Sequence, residues 1–308
     1  MTSEVFRFGL VGAGRMGATH LRALAGTQTP VVAVAEPVDA LREATAQRYS
    51  LEAYRSVDEL LGAGGIDGVL VVTPSSTHVE VITAVAAAGV PILCEKPCGV
   101  LPSDARDAAR VVAKSGVPLQ IAYWRRFVPE LQRLRDRIRA GDLGEVLSIT
   151  CLQWDGAPPS AAFRARGGGI YIDMGVHEID QTRWLLGGDY DTVMAAASLV
   201  VTDPEAHEPD AAQVLGLLST GATSFISLGR HYPGGDMASV EVFGTRGREL
   251  ITFLDPAEGE RTQLAALASQ ATAFAEFARG AACTGASVDD ALAALKVATS
   301  ASRLIGAR

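Results

Sequence analysis

The chain has 308 residues, with 35 acidic against 27 basic side chains and a formal net charge of −8. This length supports a large core and favours two domains, while the acidic balance leaves no cationic surplus to neutralise a nucleic acid. Only four cysteines occur, Cys94, Cys98, Cys151 and Cys283, and they form neither a disulfide framework nor a repeated metal pair, so a reducing cytoplasm and no metal are expected. No apolar stretch approaches a membrane span, and a strand pattern begins with no secretion signal ahead of it, so neither membrane nor export is expected.

In chain order, the apolar run Phe6 to Val11 ends at Gly12-Ala13-Gly14-Arg15-Met16-Gly17, and an amphipathic helix pattern follows over Met16 to Ala25. Gly12 permits a tight turn, Gly14 admits a pyrophosphate to the backbone, and Gly17 lets helix and strand pack closely. The pyrophosphate rests on the helix N-terminus, where N–H groups lack partners. A second apolar run, Val31 to Val34, leads to Glu36, which lies 19 positions beyond Gly17. An acid there accepts from the adenosine ribose hydroxyls and repels a 2′-phosphate, which favours NAD over NADP. Further strand patterns at Gly68 to Val72, Pro91 to Cys94 and Leu119 to Ala122 alternate with helices over Asp39 to Arg48, Val57 to Leu61, His78 to Ala88 and Ser103 to Lys114. Asp39 and Ser103 are the predicted N-caps. This βα rhythm predicts an α/β domain over 1–122, a parallel sheet with ligands gathered at its carboxyl edge. The expected cofactor-binding residues are Gly12, Gly14, Arg15, Met16, Gly17, Glu36, Thr73, Pro74, His78, Glu95 and Lys96.

After Tyr123 the rhythm changes. A charged helix over Pro129 to Ala140 precedes a strand at Leu147 to Trp154, and the glycine run Gly167 to Gly169 precedes a helix from Ile172 to Leu186. Strands at Val193 to Val201, Gln213 to Ser219, Thr223 to Leu228, Ala238 to Gly244 and Gly247 to Leu254 have short links. They predict an α+β domain over 123–308 with a broad, mostly antiparallel sheet. Leu264 to Ala278 and Val288 to Ile305 read as closing helices, the last a candidate to pack back on the first domain. Thr202 to Pro209 is the stretch with least expected order.

Three groups could carry chemistry. Lys96, in Cys94-Glu95-Lys96-Pro97-Cys98, falls at the ligand edge, with the isomer of its bond to Pro97 open; alternatively it is a surface lysine before a turn proline. Asp173 and His177 share a helical face at i,i+4, so the imidazole can take a hydroxyl proton while the carboxylate orients it. Asp180 offers His177 another partner, and a capping aspartate beside a surface histidine is the plainer alternative. Tyr123, Arg126 and His231 complete the expected substrate-binding set with Lys96, Asp173 and His177, all hydrogen-bonding groups suited to several hydroxyls. Arg125 and Arg126 keep an acidic sugar open.

The glycine opening, the Thr73-Pro74 turn, Glu95-Lys96-Pro97, Arg125-Arg126-Phe127 and Asp173-Met174-Gly175-Val176-His177 occur in an order that resembles the glucose-fructose oxidoreductase / inositol dehydrogenase / MocA family over essentially the whole chain. Inositol dehydrogenase-like members are the nearest resemblance. It implies a Rossmann domain joined to a C-terminal domain whose sheet forms contacts in a homodimer or homotetramer, with a lysine, an aspartate and a histidine in catalysis. The matching positions are Lys96, Asp173 and His177. The expected reaction is hydride transfer between NAD and a secondary hydroxyl of a cyclitol or sugar, with an inositol preferred. The alternatives are NAD-assisted elimination or hydrolysis and a non-catalytic nucleotide sensor.

Overall fold

The computed structural model describes residues 5–164, 166–200 and 208–306. The chain divides into two compact units, Met1–Trp124 with Leu264–Leu292, and Arg125–Gln263 with Ala293–Arg308.

The first unit alternates strand and helix: β1 (Phe8–Val11), α1 (Arg15–Leu24), β2 (Val31–Ala35), α2 (Asp39–Tyr49), β3 (Glu52–Tyr54), α3 (Val57–Ala63), β4 (Gly68–Val71), α4 (His78–Ala87), β5 (Ile92–Glu95), α5 (Pro102–Ser115) and β6 (Leu119–Ala122). The six strands lie in the order β3-β2-β1-β4-β5-β6, every pair parallel. Strand order therefore reverses beside β1, and a crevice opens at the carboxyl ends of β1 and β4. β1, β4, β5 and β6 are buried throughout, as expected for a sheet covered on both faces. Two predicted caps are corrected. Asp39 and Ser103 lie inside their helices, whose N-caps are Val38 and Leu101. At α5 the carboxylate of Asp104, the third helical residue, reaches back to accept from the N–H groups of Val100 and Leu101 at 2.8 and 2.9 Å, the carboxylate half of a capping box.

The second unit contains α6 (Pro129–Arg139), β7 (Val146–Trp154), the short α7 (Ala161–Arg164), α8 (Val176–Leu186), β8 (Tyr190–Ser198), β9 (Ala211–Leu218), β10 (Thr223–Gly229), β11 (Met237–Gly244) and β12 (Arg248–Leu254). Its sheet runs β12-β11-β7-β10-β9-β8. The pairing is antiparallel except for the parallel pair β7 and β10 at the centre, so the sheet is mixed. α8 packs on β7 and β10. The Thr202 to Pro209 expectation falls largely on residues 202–207, outside the described residues.

Two helices close the chain, α9 (Arg261–Ala278) and α10 (Val288–Gly306). Residues 264–292 cluster with the first unit, so α9 and only the first turn of α10 belong there, a division that differs from the expected single boundary at 122/123. Phe274 of α9 stacks on Phe8 at 5.7 Å between ring centroids and meets Phe6 edge-on at 6.0 Å. Each such ring pair is worth about 0.5–1.5 kcal/mol beyond its buried area. No described helix is long and apolar enough to cross a membrane.

Candidate active site

β1 delivers the chain into the glycine turn. Gly12 has φ +99°, and a Cβ there would stand 2.9 Å from the Val72 carbonyl oxygen, so the position excludes side chains both by backbone conformation and by space. A Cβ on Gly17 would stand 2.5 Å from the Gly12 carbonyl oxygen, whereas one on Gly14 would meet nothing within 4 Å. Gly12 and Gly17 are therefore fixed by packing, and Gly14 faces open space. The first turn of α1, with Arg15 and Met16, has no side-chain cap, which leaves its N–H groups to an anion.

Glu36 follows β2 and is buried. Its Oε2 accepts from the Ala13 N–H at 2.9 Å and its Oε1 from the Val38 N–H at 3.0 Å, which holds the carboxylate beside the glycine turn with lone pairs left for a ribose. Arg42, the nearby cation, donates to the Glu36 carbonyl oxygen at 3.0 Å and to Asp39 at 2.5 Å. An open glycine, an uncapped helix start and an acid at the second strand fit the adenosine and pyrophosphate parts of NAD.

Thr73 and Pro74 follow β4, and Thr77 Oγ1 donates to Thr73 Oγ1 at 2.9 Å. His78, expected at the cofactor edge, is held by backbone: its Nδ1 lies 2.8 Å from the Pro97 carbonyl oxygen and its Nε2 2.9 Å from that of Thr73. Burial pushes its pKa below the ordinary histidine value, against the opposing pull of those carbonyls. Glu95 is likewise engaged inside the protein: His20 Nε2 lies 2.7 Å from its Oε1, and the Lys96 N–H donates to its Oε2 at 3.1 Å. The Lys96–Pro97 bond is cis. Cys94 and Cys98 are buried, and burial raises both thiols, Cys98 to about 12.

In the second unit, Asp173 lies in a wide π-type turn, Tyr171–Gly175, rather than in the expected continuous α-helix, and His177 occupies the first turn of α8. Arg230, at the end of β10, is buried and donates to Asp173 Oδ2 at 3.1 Å and to Glu208 Oε1 at 2.8 Å. Burial opposes the Arg230 charge, but the two carboxylates outweigh it and raise its pKa. Burial also raises Asp155, which accepts from Gln153 at 3.2 Å. Gln153 in turn accepts from Arg125 at 2.7 Å, and Arg125 pairs with buried Glu178. Arg230, Asp155 and Gln153 were not predicted as site residues.

Asp180, offered as a partner of His177, receives Arg126 in two bonds of 2.5 and 3.0 Å. Arg126 is thus matched by a protein carboxylate where a substrate contact was expected. His231 Nε2 stands 3.3 Å from Asp210 Oδ1, and Tyr123 is buried just beyond β6.

Residues 6–123 match the oxidoreductase family described by its NAD-binding Rossmann fold, and residues 131–248 match the GFO/IDH/MocA C-terminal domain. The chain belongs to the GFO/IDH/MocA family. Among its relatives, the rhizopine catabolism protein MocA of Rhizobium meliloti is 48% identical over 302 residues, covering 97% of this chain and 95% of the relative. An inositol 2-dehydrogenase of Rhizobium meliloti (strain 1021) is 35% identical over 244 residues, covering 78% and 74%. The crystal structure of a myo-inositol dehydrogenase from Corynebacterium glutamicum superposes with a TM-score of 0.88 at 25% identity, covering 98% of this chain and 97% of that one. Family membership and the glycine turn agree on an NAD-binding oxidoreductase fold for the first unit.

Proposed function

We propose that this protein is an NAD-dependent dehydrogenase of a secondary hydroxyl on a cyclitol or sugar ring, an inositol foremost. The observation that carries the reading is the placement of Lys96 directly after β5, on the sheet edge that also bears the open Gly14 and the buried Glu36. Gly12, Gly14, Gly17, the α1 N-terminus and Glu36 would hold NAD, which supplies the hydride acceptor when bound. His177 takes the hydroxyl proton. Lys96 steadies the negative charge that develops on the substrate, where an ammonium lowers the barrier most. Asp173 orients the substrate or the imidazole. Arg125 and Arg126, which kept an acidic sugar open, are matched by Glu178 and Asp180, and this favours a neutral polyol. The inositol 2-dehydrogenase relative supports the same substrate class.

The test is a screen of inositol isomers, aldopyranoses and sugar acids with NAD, followed as absorbance of accumulating NADH. Net NADH with a cyclitol is the expected outcome. Product without net NADH would identify elimination or hydrolysis, and tight NAD binding without turnover would identify a sensor. We also propose that the second unit's open sheet face seats a second copy of this chain, giving a homodimer or homotetramer.

A further inference from the structure

We propose that His20 is a positioning residue for Lys96, acting through Glu95; the inference rests on the reading of Lys96 given above. His20 lies on α1, three residues beyond Gly17, and is 1% exposed. Its Nε2 stands 2.7 Å from Glu95 Oε1, and the other carboxylate oxygen accepts the Lys96 N–H at 3.1 Å. One buried carboxylate therefore joins the helix that frames the glycine turn to the backbone nitrogen of the lysine. The two groups are 75 positions apart in sequence. The following residue is fixed too, because His78 stands against the carbonyls of both Pro97 and Thr73. Lys96 thus leaves the sheet from a backbone held on both sides by buried imidazoles, each tied to the edge where the cofactor residues sit.

A carboxylate with little access to water depends on the donors the protein gives it. With His20 in place, Glu95 has an imidazole on one oxygen and an N–H on the other. Without His20, the carboxylate must admit water or turn away, and each response loosens its hold on the Lys96 N–H. The glycine turn does not depend on this link, since Gly12 and Gly17 pack on backbone. Loss of His20 should therefore misplace the ammonium while sparing cofactor binding, and a misplacement of about 1 Å costs on the order of 100-fold in rate.

The test is a cycle of His20→Leu, Lys96→Ala and the double variant in the full chain. NAD affinity is measured by titration without substrate, and kcat and KM with the best polyol of the screen. His20→Leu should lower kcat at least ~10-fold with NAD affinity within ~3-fold, and the double variant should be no slower than Lys96→Ala alone, as for groups acting along one path. His20→Gln, which returns a donor near the Nε2 position, should recover most of the loss. Wild-type kcat in His20→Leu, a parallel fall of kcat and NAD affinity, or additive losses in the double variant would each overturn the proposal. If Lys96→Ala itself keeps wild-type turnover, the reading of Lys96 fails and the proposal with it. If Lys96→Ala is inactive while His20→Leu is normal, only the proposal fails. Should His20→Leu not fold, His20→Asn, whose shorter amide places no donor at the Nε2 position, enters the same cycle with the same expected pattern.

Discussion

On the proposed function, Glu36 would discriminate between cofactors because its charge is held in place and the neighbouring cation is directed elsewhere. Two backbone N–H groups fix its oxygens, and Arg42 is turned to the Glu36 carbonyl and to Asp39. Replacing it by serine removes both the ribose acceptor and the repulsion of a 2′-phosphate. Glu36→Ser should weaken NAD about 10-fold, the value of a charge-assisted hydrogen bond, and narrow the gap to NADP. Fluorescence titration of both cofactors checks this, and tighter binding of NADPH than NADH by the wild type would refute the account. That Glu36 meets the glycine turn could be read from sequence because both lie along one βαβ segment. The His20–Glu95 and Arg230–Asp173 contacts could not, since their partners are 75 and 57 positions apart and no local pattern marks a lone histidine or arginine as paired.

Within the first βαβ element the three glycines carry different loads. A methyl at Gly17 collides with the Gly12 carbonyl, while one at Gly14 enters open space. Gly17→Ala should therefore lower the melting temperature of the cofactor-free protein by several degrees, roughly the effect of 1–3 kcal/mol of overpacking. Gly14→Ala should leave that temperature unchanged yet weaken NAD at least ~10-fold, because its methyl occupies the space of the approaching pyrophosphate. Thermal melts with and without NAD separate the two cases; equal behaviour of the variants would show that Gly14 has no ligand role. Most other elements were legible from apolar runs and their periods. β3 was missed because Glu52-Ala53-Tyr54 is three residues long and opens with a charge, too short for alternation to show. The wide turn at Tyr171–Gly175 escaped for a different reason: i,i+4 spacing looks alike in a regular helix and in a single wider turn.

On the scale of the whole chain, two features escape pattern reading. The first is the outward face of the second sheet. Met194 lies across from Leu215, and Leu215 from Phe225, and these side chains are exposed together with Leu217, Phe243 and Leu250. The charges on the same face, Glu241 and Arg248, pair with each other. An apolar patch whose charges already cancel is complementary to itself, the requirement of a two-fold interface. Leu215→Glu with Phe225→Glu should convert the protein to a monomer in light scattering behind a sizing column while NAD binding persists, and a monomeric wild type would sink the idea. The second feature is which segment returns to the first unit: the last helix was the candidate, but residues 264–292, mostly α9, cluster there, a choice that alternation of strands and helices cannot foretell.

That return bears on the order of events at the ribosome. A nucleotide-binding unit placed first in a chain ordinarily completes itself while later segments are still being made. Here Phe274 and its neighbours Ala271 and Ala275 belong to the same buried cluster as Phe6, Phe8 and Leu10, so the earliest strand waits for one of the last helices. Until α9 has been made, Phe6 and Phe8 lack the ring of Phe274 that they pack on, and the intervening segment can gather its own structure before the unit that precedes it is closed.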